Sequence, residues 1–451
     1  MFDPLSPCTL WRRTAARQRR SVATCAVAWA VTLFSPQLWS QDNVSPSTPA
    51  ASEHRHSDDP RALRVTREYA IQRAARHGPE LGPARASLRG AAEVQRRSRS
   101  LLTTPPRLEL ALGPRFGTDR GLDASVGVWQ DFPLSGVGAA RRRVANARRL
   151  AADLAIEDAQ TSAALSSGLA WVEARLAREL VQLNSRRLAE AEQLERLTRT
   201  RHEAGDATAG AVASARALVG AARASVVDAE GQKFAAEAGL AYALGLAAER
   251  RTEAVGSLDR DAPGSSEAAA LAAVRRHPRL RRLSADAQTL SELSEKTRAE
   301  GVPGLGVGPS VTREATGDWI VLGRVSVPLP VVNSHTFEVA EQRRTALVAR
   351  AQVRREEARL RSRARVLFHE LGHARSVRDA LKRDALAPAR LALKEALLRY
   401  QTGKTELSEV LTARRALMEV EERRLLAAAD AQVAELRLRA ATGSILQGET
   451  Q

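Results

Sequence analysis

The sequence predicts a mainly α fold with a small β part, built from long coiled helical hairpins and duplicated within the chain. Three observations predict it. The first is an internal repeat at an offset of 198 residues. R-H-E-A-G-D-A-T from Arg201 and R-Y-Q-T-G-K-T-E from Arg399 put Gly205 on Gly403. The same offset puts Val212 on Val410, Ala215-Arg216 on Ala413-Arg414, Leu240 on Leu438 and Gly245 on Gly443. A unit this long is a duplicated half-protein, not a solenoid repeat. The second is composition: aromatic residues are only 4% of the chain while Ala, Leu, Arg and Glu dominate, which favours long helices over a compact α/β enzyme. The third is punctuation. Between Gly138 and His202 there is no proline and a single glycine, Gly168, which predicts a rod on the order of 100 Å long at about 1.5 Å per residue.

The N-terminus reads as a signal peptide over residues 1–40. Arg12, Arg13, Arg17, Arg19 and Arg20 precede the mostly apolar Ser21 to Phe34, and polar sequence resumes near Gln41. The stretch is too weakly apolar for a spanning helix. Both cysteines, Cys8 and Cys25, lie inside it, so a mature chain would carry no disulfide framework. No apolar core precedes Cys25, which argues against its lipidation. No other stretch reaches 18 consecutive apolar residues, so no helical membrane span is expected. Residues 41–61 are rich in Ser, Pro, Asp and His, including His54 and His56, and read as a flexible lead-in.

The first repeat is expected over residues 62–247. A helix should run from Ala62 to His77 and a second from Glu80 to Ser98. Arg107–Gly113 and Leu122–Gln130 alternate polar and apolar residues, as paired strands do, and Pro133 closes that hairpin. The long helix follows, breaks at Gly205 and returns from Thr208 to Ala243. The second repeat, residues 266–443, follows the same plan. Helices cover Ala268–His277 and the stretch to Glu300. Strands cover Leu305–Thr312 and Trp319–Val327, with Pro328 and Pro330 behind them. A long helix covers His335–Arg399 and returns from Thr405 to Ala441. Residues 444–451 are a tail. Leu386, Ala389, Leu393, Ala396 and Tyr400 step 3-4-3-4, a coiled-coil seam. Leu411, Met418 and Leu425 step by seven on the return helix. Pro388, inside the first run, should kink or break the helix.

Net charge is +17, but positive and negative residues alternate along helix faces. No basic block with stacking aromatics points to nucleic acid. Each repeat supplies two strands, so one chain supplies four, with one apolar face. Four strands cannot close, and a sheet in lipid must close, because an open edge leaves unpaired amides. Three chains would supply twelve. Trp129, Phe132 and Trp319 are candidates for the aromatic girdles of such a barrel.

The duplicated plan of helix, hairpin, long helix, turn and helix, the proline behind each hairpin, and the paired turns at Arg201–Thr208 and Arg399–Glu406 resemble the outer-membrane efflux protein family, the TolC-like trimeric exit ducts. The resemblance covers Ala62 to Gly443. It implies a homotrimer with an α-barrel tunnel across the periplasm, capped by a twelve-stranded β-barrel in outer-membrane lipid. It implies work with a periplasmic adaptor (membrane fusion) protein and an inner-membrane pump of the RND type, no cofactor, and a passive path for small molecules or metal ions, heavy metals and drugs above all. It also implies that Arg201, Gly205, Arg399, Tyr400 and Gly403 lie at the tips that meet the adaptor. Glu409, with Glu406 as a second candidate, would line the pore constriction. The next acidic position of the family pattern is Thr412 here, and Ala211 stands where the first repeat would match Glu409.

Two other readings compete. His369-Glu370-Leu371-Gly372-His373 is a literal H-E-x-x-H, the signature of a zinc metallopeptidase. Ser376 stands where the sharp turn needs glycine before Asp379, and the repeat places Trp171 and Arg175 opposite the two histidines, so the motif reads as chance. The third reading is an exported coiled-coil structural protein without a barrel.

Overall fold

In the computed structural model, residues 62–447 are described except 101–103, 118–119, 248, 261–265 and 329–334. The expected signal peptide, the lead-in with His54 and His56, and Pro330 lie outside the described residues.

The first repeat begins with a short strand, β1 (Leu63–Val65), where a helix was expected from Ala62. It continues through α1 (Arg67–His77), α2 (Leu81–Arg97), β2 (Arg107–Arg115), β3 (Gly121–Phe132), α3 (Val137–Glu203), α4 (Ala209–Ala243) and β4 (Thr252–Ala254). The second contains α5 (Glu267–Ala273), α6 (Pro278–Glu300), β5 (Leu305–Arg313), β6 (Trp319–Ser326), α7 (Thr336–Ala380), α8 (Leu386–Gln401) and α9 (Leu407–Ala441). A π-helical turn, Leu381–Ala385, joins α7 to α8. It lies just ahead of Pro388, whose missing N–H and ring disturb the ladder one turn earlier.

Two small sheets organise the chain. β1 pairs with β4 in parallel, Arg64 opposite Glu253. The alternation rule missed this pair because both strands are three residues long. The larger sheet has the order β2-β3-β5-β6 and is antiparallel throughout. The two hairpins therefore join through β3 and β5, leaving β2 and β6 as edges. The register sorts its side chains. Arg107 lies opposite Trp129 and Leu108 opposite Val128, so Leu108, Leu110, Leu112, Val126 and Val128 share one exposed apolar face. Phe132 and Trp319 fall on that face at opposite ends of the sheet. Trp129, also a girdle candidate, falls on the opposite face, with Arg107.

The helices converge on a core beside β1 and β4. Ile71, Trp171, Val172, Leu240, Leu258, Leu436 and Ile445 pack together, and the Trp171 indole N–H donates to the Val65 carbonyl at 2.9 Å. Arg67, 4% exposed, donates to Gln432 (2.5 Å) and pairs with Glu435 (3.2 Å). Gln432 in turn donates to the carbonyls of Leu258 and Arg260. A buried charge is tolerable when every member of its network is satisfied, and this one ties α1 to α9. α4 contrasts with α9: it is the described helix long and apolar enough by composition to cross a membrane, yet it is mostly exposed. Its apolarity is alanine and glycine in short runs, which a search for 18 consecutive apolar residues does not mark.

Candidate functional site

The two long hairpins end at adjacent tips, and the repeat is visible there bond for bond. α3 closes with Gly205 N–H to the His202 carbonyl (2.9 Å) and Asp206 N–H to the Arg201 carbonyl (2.8 Å). α8 closes with Gly403 N–H to Tyr400 (3.2 Å) and Lys404 N–H to Arg399 (2.8 Å). Both glycines have positive φ, 85° and 72°, which a side chain would strain. This is the paired closure that left-handed C-caps make. The return helices start differently. Thr208 accepts the Ala211 N–H through its side chain (3.1 Å). Glu406 holds the same position and makes no such cap.

Arg201 joins the tips. Its guanidinium donates to the Tyr400 carbonyl (2.7 Å) and the Asp206 carbonyl (3.2 Å) and lies 4.4 Å from the centre of the Tyr400 ring. Tyr400 is 2% exposed and its hydroxyl donates to Thr198 (3.1 Å). Leu194, Ala396, Leu407 and Val410 complete the small core. The structure thus gathers Arg201, Tyr400 and Gly403, while Gly205 caps the neighbouring turn. Arg399 points elsewhere, to Glu409 at 3.0 Å, and Thr405 also donates to Glu409. Both Glu406 and Glu409 are exposed. Of the expected seams, Ala396 and Tyr400 are buried and Leu386, Ala389 and Leu393 half-buried. On α9 the expected Leu425 is buried and Leu411 and Met418 are half-buried; near the tip the buried line is Leu407, Val410, Arg414 and Leu417, one position off the latter two.

Sequence reasoning missed Thr198, whose only signal is its place one turn before Arg201. It also missed Arg187 and Arg414, which lock α3 to α9 above the tips. Each donates to the other helix's backbone, Arg187 to the Met418 carbonyl and Arg414 to the Arg187 carbonyl. Burial pushes the Arg414 guanidinium below the usual arginine value, and Glu190 partly offsets this.

His369, Glu370 and His373 are exposed on α7, with Leu367 and Leu371 buried on the other side. The helix continues past Ser376, whose hydroxyl donates to the Gly372 carbonyl (3.0 Å), so Asp379 is not turned back towards the histidines. Among the described residues no three His, Cys, Asp or Glu side chains gather as a metal site.

No curated protein matches the sequence. Residues 62–246 match the family described as outer membrane efflux protein. Among solved structures, the chain is similar to the outer membrane protein VceC from Vibrio cholerae: 16% identity, TM-score 0.68, covering 84% of this chain and 96% of that one. It is similar to the CmeC outer membrane channel of Campylobacter jejuni, at 14% identity and TM-score 0.68, covering 85% and 87%. The open state of the Neisseria gonorrhoeae MtrE outer membrane channel gives 17% identity and TM-score 0.67, covering 85% and 90%. The first repeat thus matches the model of the outer membrane efflux proteins, and the chain as a whole shares its fold with these outer-membrane channels.

Proposed function

We propose that three copies of this chain form a passive exit duct, with the pooled hairpins closing a twelve-stranded barrel and the long helices forming the tunnel beneath it. The carrying observation is the four-stranded sheet. Its edges, β2 and β6, have no second partner among the described residues. One face exposes Leu108, Leu110, Leu112, Val321 and Val325 at 66–72%. The other carries Glu109, Asp123, Ser125, Ser310 and Thr312, placed together by the register. A leucine face suits lipid and a polar face suits water. Each unpaired edge amide in lipid would cost several kcal/mol, so the sheet has to meet another copy of itself. Exposed Val227, Phe234 and Tyr242 on α4 supply apolar surface for the same assembly below the membrane.

The duct is loaded by an inner-membrane pump of the RND type through a periplasmic adaptor, and it carries small molecules or metal ions. The tips at Gly205 and Gly403 dock the adaptor, and Arg201 holds them together in the resting state. Glu409 and Glu406, repeated threefold, ring the constriction. Arg399 already neutralises part of Glu409, so Glu406 contributes the freer charge. The test is the mass of the detergent-purified protein together with its conductance in planar bilayers. A particle of three chains that conducts is expected. A monomer soluble without detergent overturns the reading.

A further inference from the structure

The polar face of the sheet carries one cation that its own chain leaves without a carboxylate. Arg324 is the only charged residue of β6, and it is exposed. The other cations on that face are paired: Arg107 with Asp131 at 2.5 Å, and Arg115 with Asp123 at 3.1 Å and Glu314 at 2.7 Å. Arg324 has no ion pair among the described residues; its contact is with a ring, its guanidinium carbon 5.3 Å from the centre of Trp129.

That contact crosses a whole strand. Arg107 pairs with Trp129 and Gly308 with Arg324. The β3–β5 register, with Gly127 on Ser310 and Gln130 on Val307, sets Trp129 against Gly308. The row across the sheet therefore reads Arg107, Trp129, Gly308, Arg324. An indole reaches the second strand over only because the first presents no side chain. A Cβ on Gly308 would stand 2.2 Å from the Val128 carbonyl oxygen and 3.0 Å from Trp129 Cδ2. The ring fills the glycine's place and offers its face to the guanidinium, an arrangement that holds a cation without cancelling its charge. Trp129 lies three residues from the end of β3, about 10 Å from the point where the sheet gives way to the helices.

We propose that Arg324, propped on Trp129 over Gly308, forms a threefold cationic tier in the barrel lumen that favours anionic permeants, aromatic anions most of all. The inference rests on the trimeric duct proposed above. In that assembly three guanidiniums that their own chains leave uncompensated ring a water-filled passage near its helix-side end, and fixed charge in such a passage concentrates counter-ions. The half-buried Trp129 ring adds a stacking surface beside the charge.

The experiment measures reversal potentials of the full chain in planar bilayers under a potassium chloride gradient. Arg324→Gln is expected to lower the chloride-to-potassium permeability ratio by at least about twofold, while Arg324→Lys retains it. Trp129→Leu, which keeps the charge, is expected to hold the permeability ratio near the wild-type value but weaken block by naphthalene sulfonate. An unchanged permeability ratio in Arg324→Gln overturns the tier. So does loss of the gel-stable trimer in both Arg324→Gln and Glu109→Gln. Glu109 lies on the other edge strand, so that result would make Arg324 a tie between copies. An intact Glu109→Gln trimer with stronger anion preference supports the tier. Wild-type protein that never conducts removes the duct itself, an outcome distinct from a conducting channel indifferent to residue 324.

Discussion

The two repeats finish their long hairpins alike and build them differently. At the tips, Gly205 and Gly403 close the helices with the same two hydrogen bonds. Between tip and sheet, α3 runs unbroken for 67 residues, whereas its counterpart is divided by a π turn and Pro388. The offset that matches the tips also sets Trp171, 2% exposed, against the exposed His369. α4 lies mostly exposed and α9 is lined with buried side chains. A cap needs only a glycine and backbone groups, so it survives divergence of the side chains around it. A helix face follows its packing partner, and the partners differ. Both helices meet α6 and α9, but α3 also packs on α1, α4 and β4 and reaches β1 through Trp171, while α7 packs on α5.

The largest test of that contrast exchanges side chains at one matched position. Trp171→Ala should cost about 3–5 kcal/mol, since it empties a filled core site and strips the Val65 carbonyl of its donor. His369→Ala should fall within about 0.5 kcal/mol of wild type, as exposed substitutions do. Thermal melting of the detergent-solubilised protein by circular dichroism compares the two. Equal shifts would mean that residue 369 is buried after all.

Next in size is the helix break. The position matching Pro388 is Glu190, inside α3 and 3.8 Å from Arg414. Glu190→Pro should cost about 3 kcal/mol or more, by removing a ladder bond and clashing one turn back. Pro388→Ala should leave the melting temperature nearly unchanged and slow amide exchange across residues 381–388, because the π turn can then relax to a regular helix. Fast exchange persisting in Pro388→Ala would assign the π turn to tertiary packing.

How far these features were legible in the sequence follows from the same contrast. Local chemistry was plain. The glycines at 205 and 403, the proline-free run of α3 and the alternation of β2 each announce a backbone state. Features made by distant residues were silent. β1 and β4 are too short to alternate, and Leu63 meets Thr252 only after two long helices have folded between them. Thr198 matters because Tyr400 reaches it from the other repeat. Arg414 reads as a surface residue on its own helix, yet burial beside Arg187 makes it part of the seam. Trp129 read as a girdle aromatic until the register put it on the polar face.

The tips give a smaller effect. Arg201→Ala removes charged hydrogen bonds to the Tyr400 and Asp206 carbonyls and a cation–π contact. It should loosen the paired tips by about 1.5–3 kcal/mol. Arg399→Ala removes an ion pair between groups 55% and 43% exposed, worth about 0–1 kcal/mol. Limited proteolysis near the two turns, and the open probability of single channels, should rise in the first variant and barely move in the second. The reverse order would locate the tip contact at Arg399.

The smallest expected effect is graded with pH. His77 and His277 stand at the matching helix breaks, but His77 is exposed and His277 is 5% exposed. His277 Nδ1 accepts the Arg279 N–H (3.1 Å) and Nε2 faces the Ala440 carbonyl (2.9 Å) as donor, so both nitrogens are committed in the neutral ring. Burial lowers its pKa, while Asp158 and Glu356 push upward and Arg279 downward. A histidine depressed in the folded state protonates first in the unfolded chain. Its contribution is therefore complete above the ordinary value of about 6.5 and is lost as pH falls through that value towards the folded one. Acidification adds a proton to Nδ1, where the Arg279 N–H already points, and so opposes the joint of α6 with α9. Melting temperature should decline between pH 7.5 and 5.5, and His277→Gln should flatten part of that decline by offering an acceptor and a donor that do not titrate. An identical slope in His277→Gln would move the acid sensitivity to the carboxylates and leave the two breaks equivalent in their response to protons.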